Sequence, residues 1–312
     1  MSALAREGLQ VRAAHTHAHG HDHAEGTQGR ALAVAFGLTC AVLVVELLGA
    51  WASGSVALAA DAGHVLTDVL ALGLSVWAAR LATRPATGSK TYGFGRAGTL
   101  VALFNAALLL LITVGIAVAA VDRLAHPAAV RPSLMLVPAL FGLAINLLLV
   151  LRLRGHAHHD LNARGAWLHI AGDAGANAAV VVAAGIISLT GWRWCDPALS
   201  LGIVALIAAG AWRLAVDAGN VLLEGSPAGL DPDLVAAAMS AVDGVHGVHH
   251  LHLWSIGGGR RACSGHLVLG PISLEDGQAI ARAVEQALHE RFAIDHCTLQ
   301  IEASADCVQC RP

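Results

Sequence analysis

Six apolar runs, at about 31–53, 56–80, 97–122, 133–151, 165–190 and 195–216, alternate with short stretches that are polar or contain Gly and Pro. A hydrocarbon core of about 30 Å needs roughly 20 apolar residues in helix per crossing, and runs of about 20 to 25 suit tilted spanning helices. The expected core of the fold is therefore an all-α bundle of six transmembrane helices. A chain of 312 residues leaves room for a further domain. Composition agrees, since 56% hydrophobic against 13% charged residues excludes disorder and departs from soluble domains, where about a quarter of residues are charged.

Six crossings put both termini on one side, and the basic residues of the loops say which. Arg6, Arg12, Arg30, Arg80, Arg84, Lys90, Arg96, Arg152, Arg154 and Arg164 fall on the side of the termini, against Arg123, Arg131 and Arg193 on the other. That ten-to-three bias makes both termini cytoplasmic in a multi-pass membrane protein. The net charge of −3 with scattered bases leaves no footprint for nucleic acid. The N-terminal stretch carries acids and histidines where a cationic n-region would sit, so no secretory signal is expected.

Four regions follow from these patterns. Residues 1–30 read as a cytoplasmic His-rich tail, in which HTHAHGHDH places His15, His17, His19, His21 and His23 at every second position among 18 histidines in all. Such a tract is either a metal collector or a solvated tail. Residues 31–222 form the membrane domain. Residues 223–303 read as a small cytoplasmic α+β domain serving regulation or dimerisation, and 304–312 as a Cys-x-x-Cys tail with Cys307 and Cys310. Six cysteines, two of them inside apolar runs, do not make a disulfide framework, and the terminal pair reads as reduced thiols.

Within the small domain, Asp231 before Pro232 opens a helix over 231–243, because an acidic cap followed by proline suits a helix start. Strands are expected over 246–256 and 262–269 around Gly257-Gly258-Gly259, a helix over 273–292 and a strand over 297–302. The order is αββαβ, with a core thin enough to call for dimerisation or metal.

The second and fifth runs each contain His-x-x-x-Asp, as His64 with Asp68 and His169 with Asp173. A spacing of four puts both side chains of a pair on one helix face, and Asp61 and Asn177 extend those faces by roughly one turn. A charged residue at membrane depth costs about 2.5 to 3.5 kcal/mol, so matched pairs need a reason. Two imidazoles and two carboxylates supply the four donors zinc takes, and they suit zinc, cobalt or cadmium better than magnesium or calcium. The alternative is hydrogen-bonding glue between helices, a role that needs neither identical pairs nor charges. Glu46 and Asn146 either line the same pathway or pair across helices. His156, His158 and His159 beside Asp160 read as a solvated turn or a point of metal delivery.

ADAGHVLTD, TYGFGR at 91–96, HIAGD, LLEGSP and VHHLHLWSI, in that order, resemble the cation diffusion facilitator family of zinc transporters over about residues 30–303. The resemblance implies a homodimer of six-helix bundles in the lipid bilayer, with a cytoplasmic domain of metallochaperone (ferredoxin-like) fold. It implies export of a divalent metal in exchange for protons, with Zn²⁺ as substrate, no organic cofactor and no enzymatic step. The family's transport site falls on His64, Asp68, His169 and Asp173. Positions that bind regulatory metal in the family fall on His249, His266 and Glu302, while Gln300 stands where a histidine ligand can sit. Cys307 and Cys310 could add thiolates. His250 and His252 alternate with Leu251 and Leu253, a strand pattern with one polar face. Competing readings are an exporter mainly of cadmium, cobalt or nickel, an intramembrane zinc hydrolase, which would keep an open coordination position, and a membrane-anchored metal receptor, with ligands only in its soluble part.

Overall fold

The computed structural model describes residues 22–153 and 161–304. Its elements run α1 (Asp22–Ser53), α2 (Val56–Ala82), α3 (Ala97–Ala125), α4 (Pro132–Leu153), α5 (Leu161–Thr190), α6 (Cys195–Leu222), α7 (Pro232–Ser240), β1 (Gly247–Gly257), β2 (Arg260–Val268), α8 (Leu274–Phe292) and β3 (Ile294–Glu302). The six apolar runs are the six long helices, each long and apolar enough to cross a membrane. Their outer surfaces carry exposed Leu111, Val114, Val118, Leu206 and Trp212, a surface that only lipid or another apolar face can cover. Cys307, Cys310, His15, His17, His19, His21, His156, His158 and His159 lie outside the described residues.

Helix α1 begins at Asp22, inside the stretch read as a tail, since an apolar span can carry helix into polar residues that resist it little. In the bundle α1 packs on α2 and α4, α4 on α5, α2 on α3 and α6, and α3 on α6, while α2 also touches α5. Close approach depends on small residues: a Cβ on Gly49 of α1 would sit 2.1 Å from Cγ of Pro138 in α4. A buried core of Ala57, Leu58, Met135, Ala139, Val180 and Ala184 ties α2, α4 and α5 together.

The start of α2 is pinned by α6. Ser55 caps α2 by accepting from the Leu58 amide at 3.0 Å, and its hydroxyl donates to the Asp196 carboxylate. The Val56 amide donates to the same carboxylate at 2.8 Å and the Ala57 amide at 3.3 Å. Asp196 is fully buried, and the helix N-terminus, with its free amides and positive dipole end, compensates its charge.

The soluble unit is a three-stranded sheet of order β1-β2-β3, antiparallel between β1 and β2 and parallel between β2 and β3. Its core is Val235, Met239, Leu253, Cys263, Leu267, Val284, Leu288 and Ile294. The αββαβ order is as expected, with the two largest shifts of boundary at α7 and β3. Helix α7 stops at Ser240 rather than 243, where the chain turns toward Gly244 at φ 91°. Strand β3 starts at Ile294 rather than 297, because pairing with β2 begins at Arg261 opposite Ile294 and overrides the polar Asp295 and His296. Asp231 accepts from the Asp233 amide at 2.9 Å and Ser273 from Asp276 at 3.1 Å, caps worth about 1 kcal/mol each.

The soluble unit is attached at one end of the bundle. Arg96, at the start of α3, donates from both terminal nitrogens to Glu224 at 3.2 Å and from Nε to the Ser255 carbonyl at 3.2 Å. Gly257 leaves room for the loop before α3, since a Cβ there would lie 2.2 Å from the Gly95 carbonyl carbon. Two glycines and one ion pair therefore join the TYGFGR loop, the end of α6 and the turn after β1.

Candidate functional site

The two His-x-x-x-Asp turns face one another across α2 and α5. His169 Nε2 lies 3.2 Å from Asp68 Oδ2 and 3.8 Å from Asp173 Oδ2. His64 Nε2 lies 3.4 Å from Asp173 Oδ1 and 3.6 Å from Asp68 Oδ2. Each histidine is thus nearer the carboxylate of the opposite helix than the one on its own, and the imidazoles meet edge to face with centroids 5.5 Å apart. Ligand atoms of His64, Asp68 and His169 all lie within 4.8 Å of one another, and Asp173 closes the ring through its contacts to both histidines. His64 Nδ1 is buried and has no hydrogen-bond partner among the described residues.

One turn away, toward the end of the bundle remote from the soluble unit, the polar side chains are sealed. The Asn177 side-chain amide donates to Asp61 Oδ2 at 2.8 Å, and both residues are at most 1% exposed. Glu46 of α1 is fully buried beside them. Gly142 of α4 makes the space: a Cβ there would fall 2.4 Å from Asn177 Oδ1 and 2.6 Å from Glu46 Oε1. The four ring residues are more open, from 15% for Asp173 to 48% for His169. Accessibility thus falls steeply from His169 to the Glu46–Asp61–Asn177 layer. Glu46 belongs with this layer; Asn146 is buried but its side chain makes no hydrogen bond among the described residues. The link of Glu46 to Asn177 through Gly142 has no signal in sequence spacing, because three separate helices contribute it.

A second cluster lies on the outer face of the sheet. His249 faces His266 across β1 and β2, and Glu302 pairs with Val268 at the end of β3. Glu302 reaches His249 Nε2 at 2.9 Å and His266 Nδ1 at 2.8 Å. The first contact is a hydrogen bond; the second lacks that geometry, and His266 Nδ1 has no hydrogen-bond partner among the described residues. Partial burial works to raise the Glu302 carboxyl, but hydrogen bonds from His249 and Gln300 and the nearby His266 outweigh it and hold it below its ordinary value. Gln300 donates to Glu302 Oε1 at 2.8 Å, so it orients the carboxylate. Cys40, Cys195, Cys263 and Cys297 are free thiols.

Comparison with known proteins gives the same outline from outside. The cation efflux transmembrane domain matches residues 32–223, and the cation efflux protein cytoplasmic domain matches 227–304. The chain is 37% identical over 280 residues to the zinc transporter ZitB of Escherichia coli, covering 89% of this chain and 88% of that protein. It is 33% identical over 285 residues to the cadmium, cobalt and zinc/H(+)-K(+) antiporter of Bacillus velezensis, covering 90% and 91%. It is 35% identical over 284 residues to the metal cation efflux system protein CzcD of Cupriavidus metallidurans, covering 91% and 89%. With both halves matched in order and relatives aligned along nearly their full length, the chain belongs to the cation efflux (cation diffusion facilitator) family, as a multi-pass membrane transporter of divalent cations and not an enzyme.

Proposed function

We propose that this chain exports Zn²⁺ from the cytoplasm in exchange for protons, working as a homodimer, with His64, Asp68, His169 and Asp173 as the ligands of the transported ion. The observation that carries this reading is the crossed pairing of the ring. Each histidine lies closer to the other helix's carboxylate, at 3.2 and 3.4 Å, so a bound cation holds α2 and α5 together and its departure releases them. Two nitrogens and two oxygens match the tetrahedral preference of zinc, and two carboxylates neutralise its charge.

Alternating access needs the site to open to one side at a time. The exposed His169 and the sealed Glu46–Asp61–Asn177 layer support a form open toward the end bearing the soluble domain, which the loop charges assign to the cytoplasm. Imidazole, with an ordinary pKa near 6.5, exchanges metal for protons within the physiological range. The printed name of the Bacillus velezensis relative includes H(+), which supports proton coupling here. It also includes cadmium and cobalt, ions that the same donor set accepts, so export of these ions is the second reading.

His249, His266 and Glu302 hold a regulatory zinc in the dimeric cytoplasmic domain. Residues 1–30 gather ions without being required for transport. The test is uptake into proteoliposomes under an imposed pH gradient: Zn²⁺ flux that follows the gradient and collapses with it is the expected result, and no flux of any divalent metal overturns the reading.

A further inference from the structure

We propose that His250 is a third imidazole ligand of the cytoplasmic cluster, which makes it a closed site of three histidines and one glutamate for Zn²⁺. The proposal rests on the reading above that His249, His266 and Glu302 bind metal, and it adds a residue brought there by the backbone.

In a regular strand, neighbours point to opposite faces, so His249 and His250 should be separated by the sheet. Here they are not. Val248, Leu251 and Leu253 all pack with the core, and Val248 and Leu251 are an odd number of positions apart, so one extra residue has been inserted between them. The pairing register records the insertion: His249 faces His266, but His252 faces Ser264, leaving His250 and Leu251 opposite the single Gly265. This is a β-bulge, and the extra residue is His250 at φ 50°. That conformation favours Gly or Asn and is strained for other side chains.

The bulge turns the His250 ring onto the face that carries the cluster. Its centroid lies 5.4 Å from that of His249 and 5.3 Å from that of His266, and those two are 5.0 Å apart. Three imidazoles on one tetrahedral zinc, with Zn–N of about 2.0–2.1 Å, stand with their centroids about 5.2 Å apart. The triangle of ring centroids therefore has about that size; the ligand atoms of His249, His266 and Glu302 already lie within 4.8 Å of one another, and the His250 ring joins them by turning a nitrogen toward that point. No hydrogen bond to the His250 ring among the described residues accounts for the strained backbone. His252 is exposed, with its ring 6.5 Å from that of His250, and is left out of the set. Glu302, 2.9 and 2.8 Å from His249 and His266, supplies the fourth donor. Four protein donors leave no open position, which fits a retained ion rather than a passing one.

The experiment uses the full chain in detergent, carrying Asp68→Ala and Asp173→Ala to silence the membrane ring. Cobalt is titrated and read by its visible ligand-field absorption, which is intense for tetrahedral sites, and zinc affinity follows from competition. His250→Gly removes the imidazole and keeps the left-handed backbone; His250→Asn serves as a second variant tolerant of that conformation. Histidines of the N-terminal tail contribute equally to every variant and cancel in the difference. Both substitutions are expected to lower zinc affinity by roughly tenfold or more and to weaken the cobalt bands, with metal-free thermal stability unchanged or higher. If His249→Ala abolishes binding while both His250 variants keep the parent affinity and spectrum, the His250 proposal is overturned and the three-residue site stands. If His249→Ala also changes nothing, the cytoplasmic metal site itself falls, and the proposal with it.

Discussion

The membrane ring and the sheet cluster use the same chemistry, imidazoles gathered around carboxylates, on different supports. The ring is split between two helices, with His64 and Asp68 on α2 and His169 and Asp173 on α5. The sheet cluster sits on three strands hydrogen-bonded into one sheet. Helices that share a ligand set can separate when the ligand leaves, because few backbone bonds tie one helix to another. Strands cannot separate without breaking the ladder between them. On the proposed reading the same donors suit a transported ion in one place and a retained ion in the other, with the support rather than the ligand chemistry setting the role.

The largest effect expected from breaking this comparison is at the ring. Asp68→Ala removes one of two negative charges and the carboxylate paired with both histidines, and zinc uptake by proteoliposomes should fall to background at matched protein abundance. Uptake at the wild-type rate would remove the ring from the pathway.

Next is the sealed layer behind it. Gly142→Ala puts a methyl group into the space between Asn177 and Glu46, an overpacking that should destabilise the bundle by about 1–3 kcal/mol and slow transport. Thermal unfolding in detergent measures the first effect and uptake the second; a variant unaffected in both would show that the layer yields freely.

A third change sharpens the chemistry without emptying the site. His64→Asp makes the ring one nitrogen and three oxygens, harder and more negative. Zinc transport should persist, while cadmium or manganese competes several-fold better than against wild type, by about 1 kcal/mol of relative preference. The pH dependence should change with it, since one of two titrating imidazoles is gone. Unchanged selectivity and pH profile would mean that His64 does not touch the ion.

The smallest effect belongs to the tail. Removing residues 1–27 should leave the maximal rate intact and lower the rate only at scarce zinc, by roughly twofold, as expected of a tract that gathers ions without shaping the site. Complete loss of flux in a correctly inserted chain would contradict this.

The two regions also differ in how far they could be read from sequence. A helix brings residues four apart onto one face, so His64 with Asp68 and His169 with Asp173 were visible as pairs before any fold was known. Hydropathy alone marked the six spans. The sheet cluster joins His249, His266 and Glu302 through strand register, which depends on turns and packing that no local spacing encodes. The resemblance supplied these residues; periodicity did not. The bulge at His250 is hidden further, because an inserted residue shows only when Val248 and Leu251 are both seen in the core. The role of Asp196 is hidden for a similar reason: its partners at the start of α2 are about 140 residues away in the chain.

The most direct measurement is zinc flux through two variants reconstituted side by side, Asp173→Ala and His249→Ala, at equal density and under the same pH gradient. Transport should be absent in Asp173→Ala and retained in His249→Ala at saturating zinc. Flux through Asp173→Ala together with loss in His249→Ala would contradict the assignment of the transported ion to the helices and the retained ion to the sheet.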